Sequence, residues 1–173
     1  VAVLALMSHD LKAILAYSTV SQLGYLIGYY GLGPANGVEY DYLHILNHVF
    51  YKGSLFMIVG VVAHSVGIRD IRQLGGLFRR MPLLGITTLI ATASMAGVIG
   101  TTGFLSKEMM LKEIFEAMTT HTRLGWYAAG CVVLTSVVKV AFSARLFANI
   151  FLGKEPEAVG KHFHAPSLAL QLP

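Results

Sequence analysis

Charge is scarce in this chain. Only 13% of its residues are Asp, Glu, Lys or Arg, against about a quarter in ordinary soluble domains, while 55% are hydrophobic and the mean hydropathy is +0.64. That scarcity excludes a typical water-soluble domain and places the chain in lipid. Cysteine is nearly absent as well. The lone Cys131 excludes an intrachain disulfide, and in its apolar helix it is expected to be a small buried side chain. A formal net charge of +4 would suit nucleic acid, but no basic run is interleaved with exposed aromatics, so nucleic acid is not expected as a partner. G-x-G-x-x-G and Walker-type spacings are missing too, which leaves the segment GIRDIRQLGGLFRR without a nucleotide-binding signature. VAVLALM has neither a basic flank nor a small-residue cleavage site, so it does not read as a signal peptide. With no initiator Met and no recognisable stop, the sequence is expected to be a fragment whose first residues close a helix already under way.

Long apolar blocks fill the space that charge leaves. Four spans are expected: 13–32, ended by a Gly/Pro-rich turn at 31–37; 40–64; 82–119, opening on Pro82 and broken near 100–103; and 124–152. Each uninterrupted block reaches the ~20 residues a bilayer requires. Residues 153–173 are expected to form a tail or loop. Arg69, Arg72, Arg79 and Arg80 fall between the second and third spans, whereas the connection before the second span has Glu39 and Asp41 and no Lys or Arg. The positive-inside rule makes the arginine connection cytoplasmic. The same choice puts Lys12, Lys154 and Lys161 inside and leaves Arg123 outside. The connection itself is expected to be a solvated topogenic loop.

Within the second span, His44, His48 and Lys52 recur every fourth residue. On an α-helix they share one face along roughly 12 Å of axis. Ionisable groups at membrane depth cost about 2.5 to 3.5 kcal/mol each on the insertion scale, so they face a partner or a wet cavity and usually act there. Imidazole exchanges protons near neutral pH, and a desolvated lysine beside other cations becomes a switchable carrier. Asn47 is a secondary candidate, as a side chain that orders water between them. Two other readings stay open at this point. The H-x3-H pair can bind zinc, although it needs a third ligand and Lys52 opposes a divalent ion; alternatively, the histidines only hydrogen-bond neighbouring helices.

The third span carries an independent clue. Gly100, Thr101, Thr102 and Gly103 interrupt it where exposed backbone would be unsatisfied in lipid, so the segment is expected to line protein or water. Lys107 and Glu108 follow directly and read as a charged pair beside a helix break, the arrangement from which transporters build ion sites. A plain loop with Lys107 at headgroup level is the alternative. Lys12 opens the first span, followed by Ser18, Thr19, Ser21 and Gln22; it is either a snorkelling anchor or the head of a polar inner face. Lys139 lies deep in the fourth span, with Thr135 and Ser143 one turn away on its own face, and is a further secondary candidate.

Four strings in order, DLKAILAYSTVSQLGY, HILNHVFYKGSLFMIVG, IRDIRQLGGLFRRMP and SMAG...GFLSKEMM, resemble the antiporter-like membrane subunits shared by Mrp-type Na+/H+ antiporters and respiratory complex I. The likeness covers roughly residues 8 to 152. HSVGIRDIRQLGGL is most similar to the A-type subunits of Mrp antiporters. The resemblance implies an all-α transmembrane bundle, a fourteen-helix core of two inverted five-helix repeats each with a broken helix, of which this chain looks like later helices of the second repeat. It also implies ion-pathway roles for Lys12, His44, His48, Lys52, Lys107 and Glu108. Two departures stand out. The family commonly has a proline in the break, where this chain has Val98-Ile99-Gly100-Thr101, and Lys139 matches no motif position. The first repeat's glutamate and lysine would lie upstream.

These readings converge on part of a multi-subunit Na+/proton antiporter of the bacterial inner membrane, carrying half of a proton path. It is expected to belong to a secondary transporter rather than an enzyme, to need no cofactor or metal, and to have other membrane subunits, lipid, H+ and Na+ as partners. Three rivals remain: a redox-driven pump component of complex I or a membrane-bound hydrogenase, where it would belong to a translocase; a scaffold that transports nothing; and a soluble zinc protein.

Overall fold

The computed structural model describes residues 1–31, 38–120, 122–167 and 170. All its regular structure is helical. Helix α1 (Ala2–Met7) stops at the extended Ser8, and α2 (Leu11–Gly31) begins where Asp10 caps it, its Oδ1 accepting from the Ala13 amide at 2.9 Å. Helix α3 runs from Val38 to Val66. The Gly/Pro turn expected at 31–37 lies outside the described residues apart from Gly31, which closes α2.

After α3, two short 3₁₀ turns (Ile71–Gln73 and Leu77–Arg79) lead into α4 (Pro82–Ala96), with Pro82 in the first turn, where its missing N–H costs nothing. Helix α5 spans Thr102–Thr120, α6 Thr122–Phe151 and the short α7 Glu157–His162. Two helices are long and apolar enough to cross a membrane, over Tyr42–Val66 and Arg123–Phe151, while α4 is apolar but shorter. At 15 residues, α4 covers only about 22 Å at 1.5 Å per residue, less than the ~30 Å hydrocarbon core.

The break between α4 and α5 sits earlier than expected. It occupies residues 97–101, not 100–103, and both Thr102 and Gly103 belong to α5. Gly97 decides the position: at φ +77° it closes a Schellman turn, its own N–H reaching Ser94 O at 3.1 Å and that of Val98 reaching Ala93 O at 3.0 Å. Thr101 then starts the next helix, its Oγ1 accepting from the Phe104 amide at 3.3 Å. Gly103 serves packing instead, because a Cβ there would collide with the Ser94 carbonyl oxygen.

The apolar core is concentrated at one end of the bundle. Leu11 and Leu15 of α2, Leu55 and Val62 of α3, Leu84 of α4 and Leu146 of α6 meet there, with Ile71, Leu77 and Met81 from the arginine connection fully buried among them. That connection is therefore not the solvated loop expected. Its arginines face out while its apolar residues plug the core, and extended pairing holds it to the α1–α2 joint, Leu11 N to Arg69 O at 3.0 Å and Ile71 N to His9 O at 2.8 Å. Residues 153–167 fold back on the same end. Val159 is fully buried, the His164 amide donates to Ser65 O at 2.8 Å, and Arg80 pairs with Glu155 while lying over the Phe163 ring. Elsewhere α6 is largely uncovered, with Trp126, Tyr127, Val133 and Val137 exposed. Cys131, expected to be buried, is exposed on that surface.

Candidate functional site

Helix α3 turns a polar stripe inward. His44, Asn47, His48, Tyr51 and Lys52 are all buried, and their three- and four-residue spacing is the inner face of one helix. The expected line of His44, His48 and Lys52 exists, yet its members reach three different neighbourhoods. Lys52 crosses to α2, donating to Leu15 O at 3.2 Å and to the Ser18 hydroxyl. His44 lies between Gln22 of α2 and Ser106 of α5, each at 2.7 Å from a different ring nitrogen. His48 meets Tyr51 edge to face at 5.4 Å, and among the described residues its Nε2 has no hydrogen-bond partner.

A side chain from α6 joins these groups. Lys139 Nζ donates to Gln22 Oε1 at 2.5 Å and to the Tyr51 hydroxyl at 3.5 Å, with Lys52 and Lys107 within electrostatic reach. Thr135 and Ser143 do not accompany its ammonium. Both hydroxyls turn back to their own helix, to Cys131 O and Lys139 O, the usual local bond of a mid-helix hydroxyl. The result is a continuous string, Lys139 to Gln22 to His44 to Ser106, beside the Lys52–Ser18 pair. A cavity of about 50 Å³ adjoins it, lined by Gln22, His44, Lys107 and Lys139 among others, with room for a few waters at ~10–15 Å³ each by this measure.

Lys107 enters from the broken helix. Its stem passes over Gly97, within 2.5 Å of where a Cβ would sit, and its ammonium donates to Ala96 O at 2.5 Å. A cation thus caps the negative end of the half-helix α4. The expected Lys107–Glu108 pair does not form: consecutive helical residues point about 100° apart, Glu108 is exposed, and among the described residues the ion pairs are Arg72–Asp70 and Arg80–Glu155. Lys12 is exposed in the first turn of α2, away from these contacts. Asn47 has a different task from the one expected. Its Oδ1 accepts from Ser94 of α4 at 3.2 Å and from Thr102 of α5 at 2.7 Å, so α3 grips both sides of the break. Both ring nitrogens of His44 are engaged by Gln22 and Ser106, and among the described residues no third His, Cys, Asp or Glu joins the H-x3-H pair.

The sequence matches the family described as NADH:quinone oxidoreductase/Mrp antiporter, TM, over residues 1–137. The chain belongs to that family. Among family members, the probable K+/H+ antiporter A/B subunit of Rhizobium meliloti (strain 1021) is 37% identical over 98% of this chain and 17% of its own length. The Na+/H+ antiporter A1 subunit of Staphylococcus epidermidis (strain ATCC 12228) is 38% identical over 94% of this chain and 22% of its own length. A chain of the Mrp complex from Dietzia sp. DQ12-45-1b superposes with TM-score 0.81 at 37% identity, covering 99% of this chain and 18% of that one. Respiratory complex I from Thermus thermophilus shares the fold, with TM-score 0.73 at 24% identity over 90% of this chain and 32% of that one. This chain spans about a fifth of the length of the curated relatives it matches.

Of the positions expected from sequence, His44 and Lys107 line the same cavity, Lys52 lies beside it on Ser18, His48 packs on Tyr51, and Lys12 and Glu108 are exposed. From the sequence Lys139 is only a secondary candidate, and Tyr51 and Ser106 carry no signal. A lysine deep within a long apolar span is signal enough for Lys139. Nothing in sequence spacing relates Gln22 or Ser106 to His44.

Proposed function

We propose that this chain is part of a monovalent cation/proton antiporter of the bacterial inner membrane, with Na+ as the exchanged cation, and that its buried seam is half of the proton path. One observation supports this above the others: Lys139, His44 and Lys107, drawn from three helices, line one cavity with room for a few waters, and the Lys52–Ser18 pair lies beside it. A scaffold would not need four titratable groups where apolar side chains pack at lower cost. In this reading protons pass through water among His48, Lys52, Lys139, His44 and Lys107, and the charge on each sets the proton affinity of the next. Lys12 and Glu108 serve only as charges at the margins. The end holding Arg69, Arg72, Arg79 and Arg80 faces the cytoplasm, and other membrane subunits complete the assembly.

The test is Lys52→Ala and Lys107→Ala in the full-length parent, with Na+- and K+-dependent proton movement recorded in vesicles. Loss of exchange in an assembled complex is the expected result, with the larger response to Na+. Unchanged exchange would favour the scaffold, and exchange that needs an electron donor would make the chain part of a redox-driven pump.

A further inference from the structure

Gln22 occupies the middle of the string and offers one acceptor and one donor to two titratable neighbours. Its Oε1 accepts from Lys139 Nζ at 2.5 Å, and its Nε2 lies 2.7 Å from His44 Nε2. An ammonium is only a donor, so it claims the amide oxygen. The amide NH2 is then directed at His44, whose Nε2 must accept and is unprotonated. The remaining ring proton is on Nδ1 and is donated to Ser106 Oγ at 2.7 Å. Charge on Lys139 therefore fixes the tautomer of a histidine on another helix.

Inverting the amide reverses both relations. His44, now protonated at both nitrogens, donates from Nε2 to Oε1, while the Gln22 NH2 donates to the lone pair of a neutral Lys139. The combination that fails is two charged partners. Both are then donors only, the amide has its oxygen on one side, and its NH2 is left facing a donor in a buried site.

We propose that Gln22 is an amide switch that makes positive charge on Lys139 and on His44 mutually exclusive, its inversion accompanying transfer of one proton from Lys139 Nζ to His44 Nε2 through the cavity both line. In the step an N–H bond of the ammonium breaks and an N–H bond of the imidazole forms, and the pair carries one positive charge before and after. The groups facing the pair are His48, Tyr51 and Lys52 from α3, Lys107 from α5, and Ser18 and Tyr25 from α2. Among the described residues, the amide's side-chain partners are Lys139 and His44. The proposal rests on the proton-path reading and adds to it an obligatory alternation.

The experiment uses the full-length parent, assembled in lipid vesicles and labelled with 15N-histidine. In the native protein at neutral pH, His44 should show a protonated Nδ1 and a bare Nε2. Gln22→Glu replaces the amide by a carboxylate, which accepts from both sides. It should move the His44 proton onto Nε2 and lower exchange about tenfold in an assembled complex, because neither partner then has a reason to release its proton. A native Nε2–H tautomer, or native exchange rates in Gln22→Glu, would overturn the switch. Should Lys52→Ala leave exchange intact, the transport reading falls, whereas the tautomer measurement still judges the switch by itself.

Discussion

At the residue scale, Gly97 carries two requirements that a single methyl group would violate. Its φ of +77° is the left-handed conformation that L side chains rarely adopt, and a Cβ there would lie 2.5 Å from Lys107 Cδ. Gly97→Ala is therefore expected to cost about 1–2 kcal/mol from the backbone alone and to push Lys107 off the Ala96 carbonyl. Thermal unfolding of the detergent-solubilised parent measures the first effect and vesicle exchange the second. Gly103→Ala should be worse. Its Cβ meets backbone, at the Ser94 carbonyl, which cannot move without parting α4 from α5, so loss of assembled protein on a size-exclusion profile is the expected outcome.

Among elements, the broken helix is held by Asn47 rather than by its own sequence. The Asn47 carbonyl is the common acceptor for Ser94 and Thr102 on opposite sides of the gap, and Asn47→Leu leaves both hydroxyls without it, at a cost of about 1–3 kcal/mol. Hydrogen exchange at residues 97–101 should quicken while the middle of α6 stays protected. A second prediction concerns the arginine connection, where the Arg72 side chain hydrogen-bonds Asp70 and holds its carboxyl down to about 2. A depressed carboxyl stabilises the fold above its unfolded value of about 3.9, and that contribution disappears as pH falls through about 2. The Leu11 and Ile71 amides, which pair across this joint, should lose protection between about pH 4 and 2, and Asp70→Asn should remove that acid limb. Apolar length and Pro82 made α3, α4 and α6 legible in sequence, since helices in lipid need little more than apolar length and an absence of charge. The gap was misplaced by three residues because glycine content marks freedom to turn, whereas the turn itself was settled by which glycine had room for Lys107.

For the whole molecule, one end is locked and the other surfaces are bare. The α1–α2 joint, the arginine connection and residues 153–167 interlock, with Arg145 of α6 donating to Leu6 O and Ser8 O and Arg80 bridging to Glu155 and Phe163. Arg80→Ala is expected to leave global stability nearly unchanged, since the ion pair is partly exposed, yet to free the returning segment. Limited trypsin digestion of the parent should then cut after Lys154 sooner than in the native protein, and high salt should imitate the variant in part. The uncovered apolar face of α6 accords with a chain that spans about a fifth of its relatives' length.

By itself the sequence determined that this chain is helical and lives in lipid, and that His44, His48, Lys52 and Lys107 need a polar setting, because the cost of charge in hydrocarbon is a local property of each residue. Only the tertiary structure decided who meets whom. Lys139 became central, Lys12 and Glu108 peripheral, and Gln22 the link between a lysine and a histidine 95 positions apart in the chain. Hydrogen-bond partnership depends on distances of about 3 Å between different helices, and helical periodicity fixes only which face a side chain occupies.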